Sequence, residues 1–260
     1  MHRKQKTLLP IKTYFIVSAL LLGSMSMLAQ GPGPGGPGGP GGPARRPLPP
    51  IPIKGDTTHT LSTHFIPATA LKKAPDAKGF IQRWLVLEPM KKNITRNNIF
   101  TDSYLKTTFA TDNFSTDYNI VPKKNATEKI GDQELKWYAL DSKAFNFNLY
   151  NFSYGINKHK YGMLVWLTTV INCPEEIKNV RMSAGCNSGS MWWLNGQEAM
   201  LLSGDRDMIA DNVTSSRLTL KKGRNIIRGA VINGPGMANF SLRFLDEKGA
   251  PVKNFSISAE

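Results

Sequence analysis

The stretch Met163 to Leu194, MLVWLTTVINCPEEIKNVRMSAGCNSGSMWWL, decides the fold. Its opening run, Met163 to Ile171, is apolar on both parities apart from Thr168 and Thr169. That is the pattern of a strand covered on both sides in the middle of a sheet. The run Ile177 to Cys186 alternates instead. Val180, Met182 and Ala184 share one face and Arg181 and Ser183 the other, so one side is buried and one is wet. Pro174-Glu175-Glu176 interrupts the two runs and reads as the turn of a hairpin. In that register Cys173 lies at the turn, and Cys186 lies far up the returning strand, roughly 30 Å away at about 3.3 Å per residue. A disulfide needs Cα atoms within about 7 Å. No disulfide is therefore expected, although a cysteine pair in an exported chain ordinarily suggests one.

Outward from this stretch the same signals repeat. Phe240, Leu242 and Phe244 alternate with Ser241 and Arg243, and further strands are predicted at Ile81 to Leu87, Leu135 to Leu140, Met191 to Leu194, Arg217 to Leu220, Arg224 to Ile232 and Val252 to Ile257. Asn195-Gly196 is a strong hairpin signal because both residues tolerate positive φ. Lys221-Lys222-Gly223 turns one strand into the next. Leu105 and Phe109, at i and i+4, predict one short helix within Asp102 to Phe109. Many strands with little helix give an all-β fold, an antiparallel β-sandwich.

The N-terminal part differs. Residues 1–29 combine a basic start, the apolar run Tyr14 to Leu22 and small residues at Ser24, Ser26 and Ala29, which reads as a secretory signal peptide cut within 26–30. The run is shorter than the roughly 20 apolar residues of a membrane span. Residues 31–43 contain only Gly and Pro, and the bias continues through Arg45 to Pro52. Such a composition gives an extended, disordered tether, so residues 30–77 are read as linker and 78–260 as the folded domain. The chain has 33 Lys+Arg against 19 Asp+Glu, a formal net charge of +14. Loss of Arg3, Lys4, Lys6 and Lys12 with the signal lowers this by four, leaving a basic chain suited to anionic partners.

From Phe80 onward the motifs resemble, in order, those of galactose-binding-like jelly-roll modules of secreted bacterial polysaccharide-degrading proteins, including multidomain acetylxylan esterases. The likeness runs through Trp84-Leu85-Val86-Leu87-Glu88-Pro89-Met90, Gln133-Glu134-Leu135-Lys136-Trp137, Met163 to Ile171, Met191-Trp192-Trp193-Leu194-Asn195-Gly196, Thr219 to Asn225 and Phe240-Ser241-Leu242-Arg243. It implies a jelly-roll sandwich with a carbohydrate-binding or accessory role. Two places depart from the family pattern. Cys186-Asn187-Ser188-Gly189 stands where the family has Ser-Asp-Asp-Gly, and Glu88 and Met90 replace a glycine and an aromatic ring.

Catalytic signals are sparse. Only His59, His64 and His159 lie beyond the signal, and Gly185-Cys186-Asn187-Ser188-Gly189 lacks the spacing of a nucleophile elbow. Cys186 with His159 is the one conceivable thiol–base pair. No phosphate-cradling loop, zinc-ligand spacing or dinucleotide fingerprint occurs, so no cofactor, metal or catalytic residue is assigned. Gly204-Asp205-Arg206-Asp207 carries two carboxylates separated by a cation, a poor calcium loop.

Aromatic residues point towards sugars, whose apolar faces stack on rings while amides, carboxylates and guanidinium groups meet the hydroxyls. Alternation places Trp192 with Leu194 on one face and Trp193 with Asn195 on the other. With Leu194 in the core, Trp193 either faces outward to stack on sugar or packs against another segment. The candidate ligand-binding residues are Trp193, Asn195, Asn187, Asp205, Arg206 and Asn233. The expected function is a secreted, non-catalytic module that binds a polysaccharide or oligosaccharide in xylan-type degradation. The alternatives are an acetylxylan-esterase-type enzyme or a protein that holds an anionic envelope component. Neither nucleic acid nor a membrane span is expected.

Overall fold

A computed structural model describes residues 60–260. The expected signal peptide and the Gly/Pro run lie outside the described residues. In chain order the first elements are α1 (Leu61–His64), β1 (Phe65–Pro67), β2 (Arg83–Leu87), β3 (Met90–Lys91), α2 (Asp102–Thr111), β4 (Thr127–Ile130), β5 (Gln133–Ser142), β6 (Phe147–Asn148) and α3 (Leu149–Gly155). Then follow β7 (Met163–Cys173), β8 (Ile177–Cys186), β9 (Gly189–Leu194), β10 (Gln197–Leu202), β11 (Val213–Thr214), β12 (Leu218–Leu220), β13 (Gly223–Asn233), β14 (Asn239–Leu245) and β15 (Ser256–Ser258).

The strands form two antiparallel sheets. The larger has the order β1-β5-β2-β7-β13-β9-β10, with β15 and β3 also pairing with β7 and β4 with β5. The smaller has the order β11-β8-β14-β6, with β12 also on β8. As its two-sided apolar pattern requires, β7 lies inside the large sheet, between β2 and β13. The parity of each strand sorts its residues between two cores. Trp84, Val86, Val165, Leu167, Trp192, Leu194 and Val231 point inward and meet Phe240, Leu242 and Phe244 of the small sheet. Leu85, Leu87, Leu164, Trp166, Trp193, Ala230 and Ile232 point outward into a second buried cluster with Phe100, Leu105 and Phe109. Each large side chain removed from water in this way stabilises the fold by about 1.5 to 3 kcal/mol.

That second cluster is roofed by α2 and the segment that follows it. Thr101 caps α2, its hydroxyl accepting from the Tyr104 amide at 3.3 Å, and Leu105 and Phe109 are its buried residues, as their spacing predicts. The Asn195-Gly196 turn has φ of 50° and 81°, and it pairs Gln197 with Leu194. Gly229 sits directly beneath the Trp192 ring, where a Cβ would collide with it.

Four expectations require correction. The folded unit does not start at residue 78. Phe65 on β1 is buried and packs on Phe147 at 4.6 Å, and β1 pairs with β5. Lys73 exchanges two backbone hydrogen bonds with Ile257, at 2.9 and 2.7 Å. A polar stretch with a single buried ring carries too weak a periodicity to be read as an edge strand. Secondly, β7 and β8 are not a hairpin, because the turn at Pro174 carries the chain from the large sheet to the small one. Cys173 and Cys186 are both buried free thiols. Thirdly, the described residues hold three short helices rather than one. Fourthly, the last strand covers Ser256–Ser258 only.

Candidate functional site

Trp193 is 6% exposed and does not face solvent. Its ring lies 4.9 Å from Tyr118 and 5.9 Å from Trp166, beneath the segment between α2 and β4. Arg228, opposite Trp193 in the sheet register, pins that segment. Its guanidinium sits 3.8, 4.3 and 4.5 Å from the ring centres of Phe114, Tyr118 and Trp166. It donates to the carbonyls of Ser115 (3.0 Å) and Asp117 (3.2 Å) and to Asn113 Oδ1. Burial lowers the Arg228 pKa to about 10, which leaves the group cationic at neutral pH. Reading Trp193 as an outward ring fails because a distant stretch of chain covers its face.

Asn195 is equally structural. Its Oδ1 accepts from the Ile226 amide at 2.9 Å, and its Nδ2 donates to Asn225 Oδ1 at 3.0 Å. The other four candidates gather at the opposite end of β9. Ser188 Oγ donates to Asn233 Oδ1 at 2.6 Å, and the Ser188 amide donates to the Arg206 carbonyl at 3.1 Å. Asn233 is fully buried, and its Nδ2 donates to the Gly236 carbonyl at 3.0 Å, so it organises loops. Arg206 donates to the Ser203 carbonyl at 3.2 Å and to Asn212 Oδ1. Asp205 is exposed, and Asn187 and Arg206 are half-buried.

The same end of the sandwich carries an aromatic surface that the sequence reading missed. Tyr150 and Tyr154 stand one turn apart on α3 with ring centres 6.4 Å apart and nearly parallel planes, and Tyr161 lies 5.6 Å from Tyr150. Tyr161 is 51% exposed. Lys160 Nζ lies 4.2 Å above the Tyr154 ring and 5.7 Å from that of Tyr150. A hydrogen bond with Tyr150, then burial, raises the pKa of the Tyr161 hydroxyl. Helix α3 is capped by Asn148, which accepts from the Asn151 amide at 2.8 Å, and is anchored by buried Leu149 and Phe152. The amides of Leu149 and Tyr150 both donate to the Ala238 carbonyl, and Gly162 donates to that of Gly234, so α3 and the loop after β13 form one unit. The legible signal was Tyr150 and Tyr154 at i, i+4 beside the anchors Leu149 and Phe152 at i, i+3.

The segment carrying Lys160 and Tyr161 also borders a polar cleft of about 500 Å³ lined by Lys91, Asn93, Asp132, Gln133 and His159. Gln133 is fixed in it by exchange with the Lys91 backbone, at 2.8 and 3.3 Å. Glu88 secures the segment through Lys158 Nζ at 3.1 Å, while also accepting from the Tyr138 hydroxyl at 3.2 Å. Partial burial, then the positive charges of Lys91 and Lys158, lower the His159 pKa, so the imidazole is neutral at pH 7 with one donor and one acceptor nitrogen.

The conceivable thiol–base pair has no chemical footing. Cys186 is fully buried, and burial pushes its thiol up to about 12, so a thiolate does not form at neutral pH. The Ser188 hydroxyl is committed to Asn233. Among the described residues, no three His, Cys, Asp or Glu side chains converge as metal ligands. No described helix is long and apolar enough to cross a membrane.

No family model matches the sequence, and no curated protein matches it. Solved structures similar to it include the PA14 sugar-binding domain of an RTX adhesin, at 14% identity and TM-score 0.40, covering 68% of this chain and 99% of that one. Another is the PA14 domain of the MpAFP antifreeze protein, at 14% identity and TM-score 0.41, covering 72% and 94%. A third is the subtype-switched epithelial adhesin 9 to 1 A domain from Candida glabrata, solved with β-lactose, at 8% identity and TM-score 0.32, covering 72% and 92%. Two of the three are PA14 domains, and none is described as galactose-binding-like.

Proposed function

We propose that this protein is exported and binds carbohydrate without catalysis, at the end of the sandwich where Tyr150, Tyr154 and Tyr161 meet the His159 cleft. The observation that carries this reading is the tyrosine cluster, in which Tyr161 is exposed and Tyr150 and Tyr154 are half-buried. A sugar ring offers C–H groups to an aromatic face and hydroxyls to neighbouring polar groups. Here the faces belong to tyrosines rather than to the five tryptophans of the chain. Asn93, Asp132, Gln133 and neutral His159 supply both donors and acceptors within one cleft. Asn187, Asp205 and Arg206 extend the polar rim at the same strand ends.

Export rests on the signal-like residues 1–29. The finer reading, an accessory module in the breakdown of xylan-type polysaccharide, rests on the motif resemblance.

The test is affinity electrophoresis of the protein through gels containing xylan, arabinan or galactan. Retardation by at least one of these, lost in Tyr161→Ala and Tyr154→Ala with the melting temperature preserved, supports the reading. Migration unchanged in every gel, or retardation that survives both substitutions, refutes it.

A further inference from the structure

The two ends of the sandwich differ in chemistry, and the end opposite the tyrosines is strongly cationic. Here the C-terminal end of β7, the start of β13 and β15 stand side by side, with Asn172 paired to both Arg224 and Ser256. Lys72, Lys222, Arg224 and Lys253 project from the rim, and Lys123 and Lys124 stand nearby, all exposed. Among the described residues none of these six forms an ion pair with a carboxylate. Of the carboxylates close by, Glu175 accepts from Asn254, Glu176 pairs with Lys178, and Glu260 lies beside Arg224, Lys123 and Lys124.

The rim surrounds a concave site. A cleft of about 480 Å³ has Lys72 and Lys253 on its walls, Asn172, Asn254 and Ser256 between them, and Phe255, Pro174 and Cys173 along its lining. Arg224, Lys123 and Lys124 line a neighbouring cleft of about 500 Å³. Ammonium groups from two chain segments, neutral amides and a hydroxyl, and an apolar lining together suit a ring that carries both hydroxyls and a carboxylate.

We propose that this end binds a carboxylate-bearing polysaccharide. One uronate unit occupies the Lys72–Lys253 cleft, and neighbouring units run past Lys222 and Arg224 towards Lys123 and Lys124. The chemistry separates this ligand from other polyanions. Single-stranded nucleic acid is held by exposed rings on which bases stack, whereas Phe255 is buried. An anionic bilayer is flat and meets the rim without entering the cleft. The proposal stands apart from the tyrosine surface, which is built for neutral rings at the far end of the strands.

Cys173 provides the readout, because it lines this cleft while Cys186 is fully enclosed elsewhere. The experiment uses the full chain, with polygalacturonate as the probe. Binding is measured by titration at several salt concentrations, and the rate of Cys173 labelling by a small thiol reagent is followed with and without the polymer. The expected result is binding that weakens with salt and labelling that slows at least about fivefold at saturation. In Lys72→Gln/Arg224→Gln/Lys253→Gln, affinity falls about tenfold or more, equivalent to about 1.4 kcal/mol, and the protection of Cys173 disappears. Tyr161→Ala leaves both intact, so failure here and failure of the neutral-sugar reading are separate results. Three outcomes overturn the proposal: polygalacturonate binding equal in the triple variant, unchanged Cys173 labelling at saturation, or equal affinity and protection from oligonucleotide or phosphatidylglycerol vesicles.

Discussion

Replacement of Trp193 by alanine separates a buried ring from a ligand platform. The ring is almost enclosed, with Tyr118 and Trp166 against it and Arg228 opposite in the sheet register. Truncation of a core aromatic costs about 3 to 5 kcal/mol through lost transfer energy and the cavity left behind. At about 2 to 4 °C per kcal/mol for a domain of this size, the melting temperature falls by about 6 to 20 °C. Trp192→Ala falls by a similar amount, since its ring packs on Trp84 at 5.7 Å and Phe240 at 5.1 Å in the inner core. Hydrogen exchange distinguishes the two. Loss of Trp193 removes a wall from the cluster around Tyr118, so amides of residues 113–118 exchange faster, while Trp192→Ala leaves them protected until global unfolding. Glycan retardation measured well below the melting temperature is unchanged by Trp193→Ala. A melting temperature within about 2 °C of the parent, together with lost glycan binding, would show that the ring is exposed and that the covering segment does not sit where the structure places it.

Phe65→Ala is expected to cost about 3 to 5 kcal/mol, because the ring is 2% exposed, whereas Ile66→Ala next to it, 51% exposed, changes stability by less than about 0.5 kcal/mol; equal denaturation midpoints for the two would detach β1 from the sheet. Asp211 accepts from Arg243 Nε at 3.0 Å and from Ser183 Oγ at 2.7 Å. Burial alone raises its pKa, but the bonds from Arg243 and Ser183 outweigh burial and hold the carboxyl below the usual range. Its contribution is therefore present above the unfolded value of about 3.9 and lost as pH falls through the lower folded value, so Asp211→Asn should flatten the loss of stability below about pH 4 in acid titrations. Unreduced protein in denaturant should react with two equivalents of thiol reagent, while in the native state Cys186 stays unlabelled; a single equivalent or none in denaturant would contradict the free thiols.

Much of the fold was legible because the evidence for a strand is local. Apolar residues on both parities of Met163 to Ile171 placed that strand inside a sheet, and alternation along Met191 to Leu194 put Trp192 and Leu194 on one face, the inner core. Asn195-Gly196 marked its own hairpin, and Leu105 with Phe109 marked the helix, each within a few residues of chain. The tyrosine surface was half legible, since the spacing of Tyr150 and Tyr154 is local but their exposure is not.

The sequence by itself determined which residues share a face; only the tertiary structure decided what lies against that face. Trp193 is buried because Tyr118, some 75 residues earlier, is brought over it, and Arg228 holds that segment by bonds to residues more than 110 positions away. Period-two alternation states that two faces differ and is silent on whether water or protein covers the second. The same limit hid the path after Cys173. A proline turn leading to a pairing partner and one crossing to the other sheet have the same local chemistry, and the choice is made by which apolar faces meet across the core.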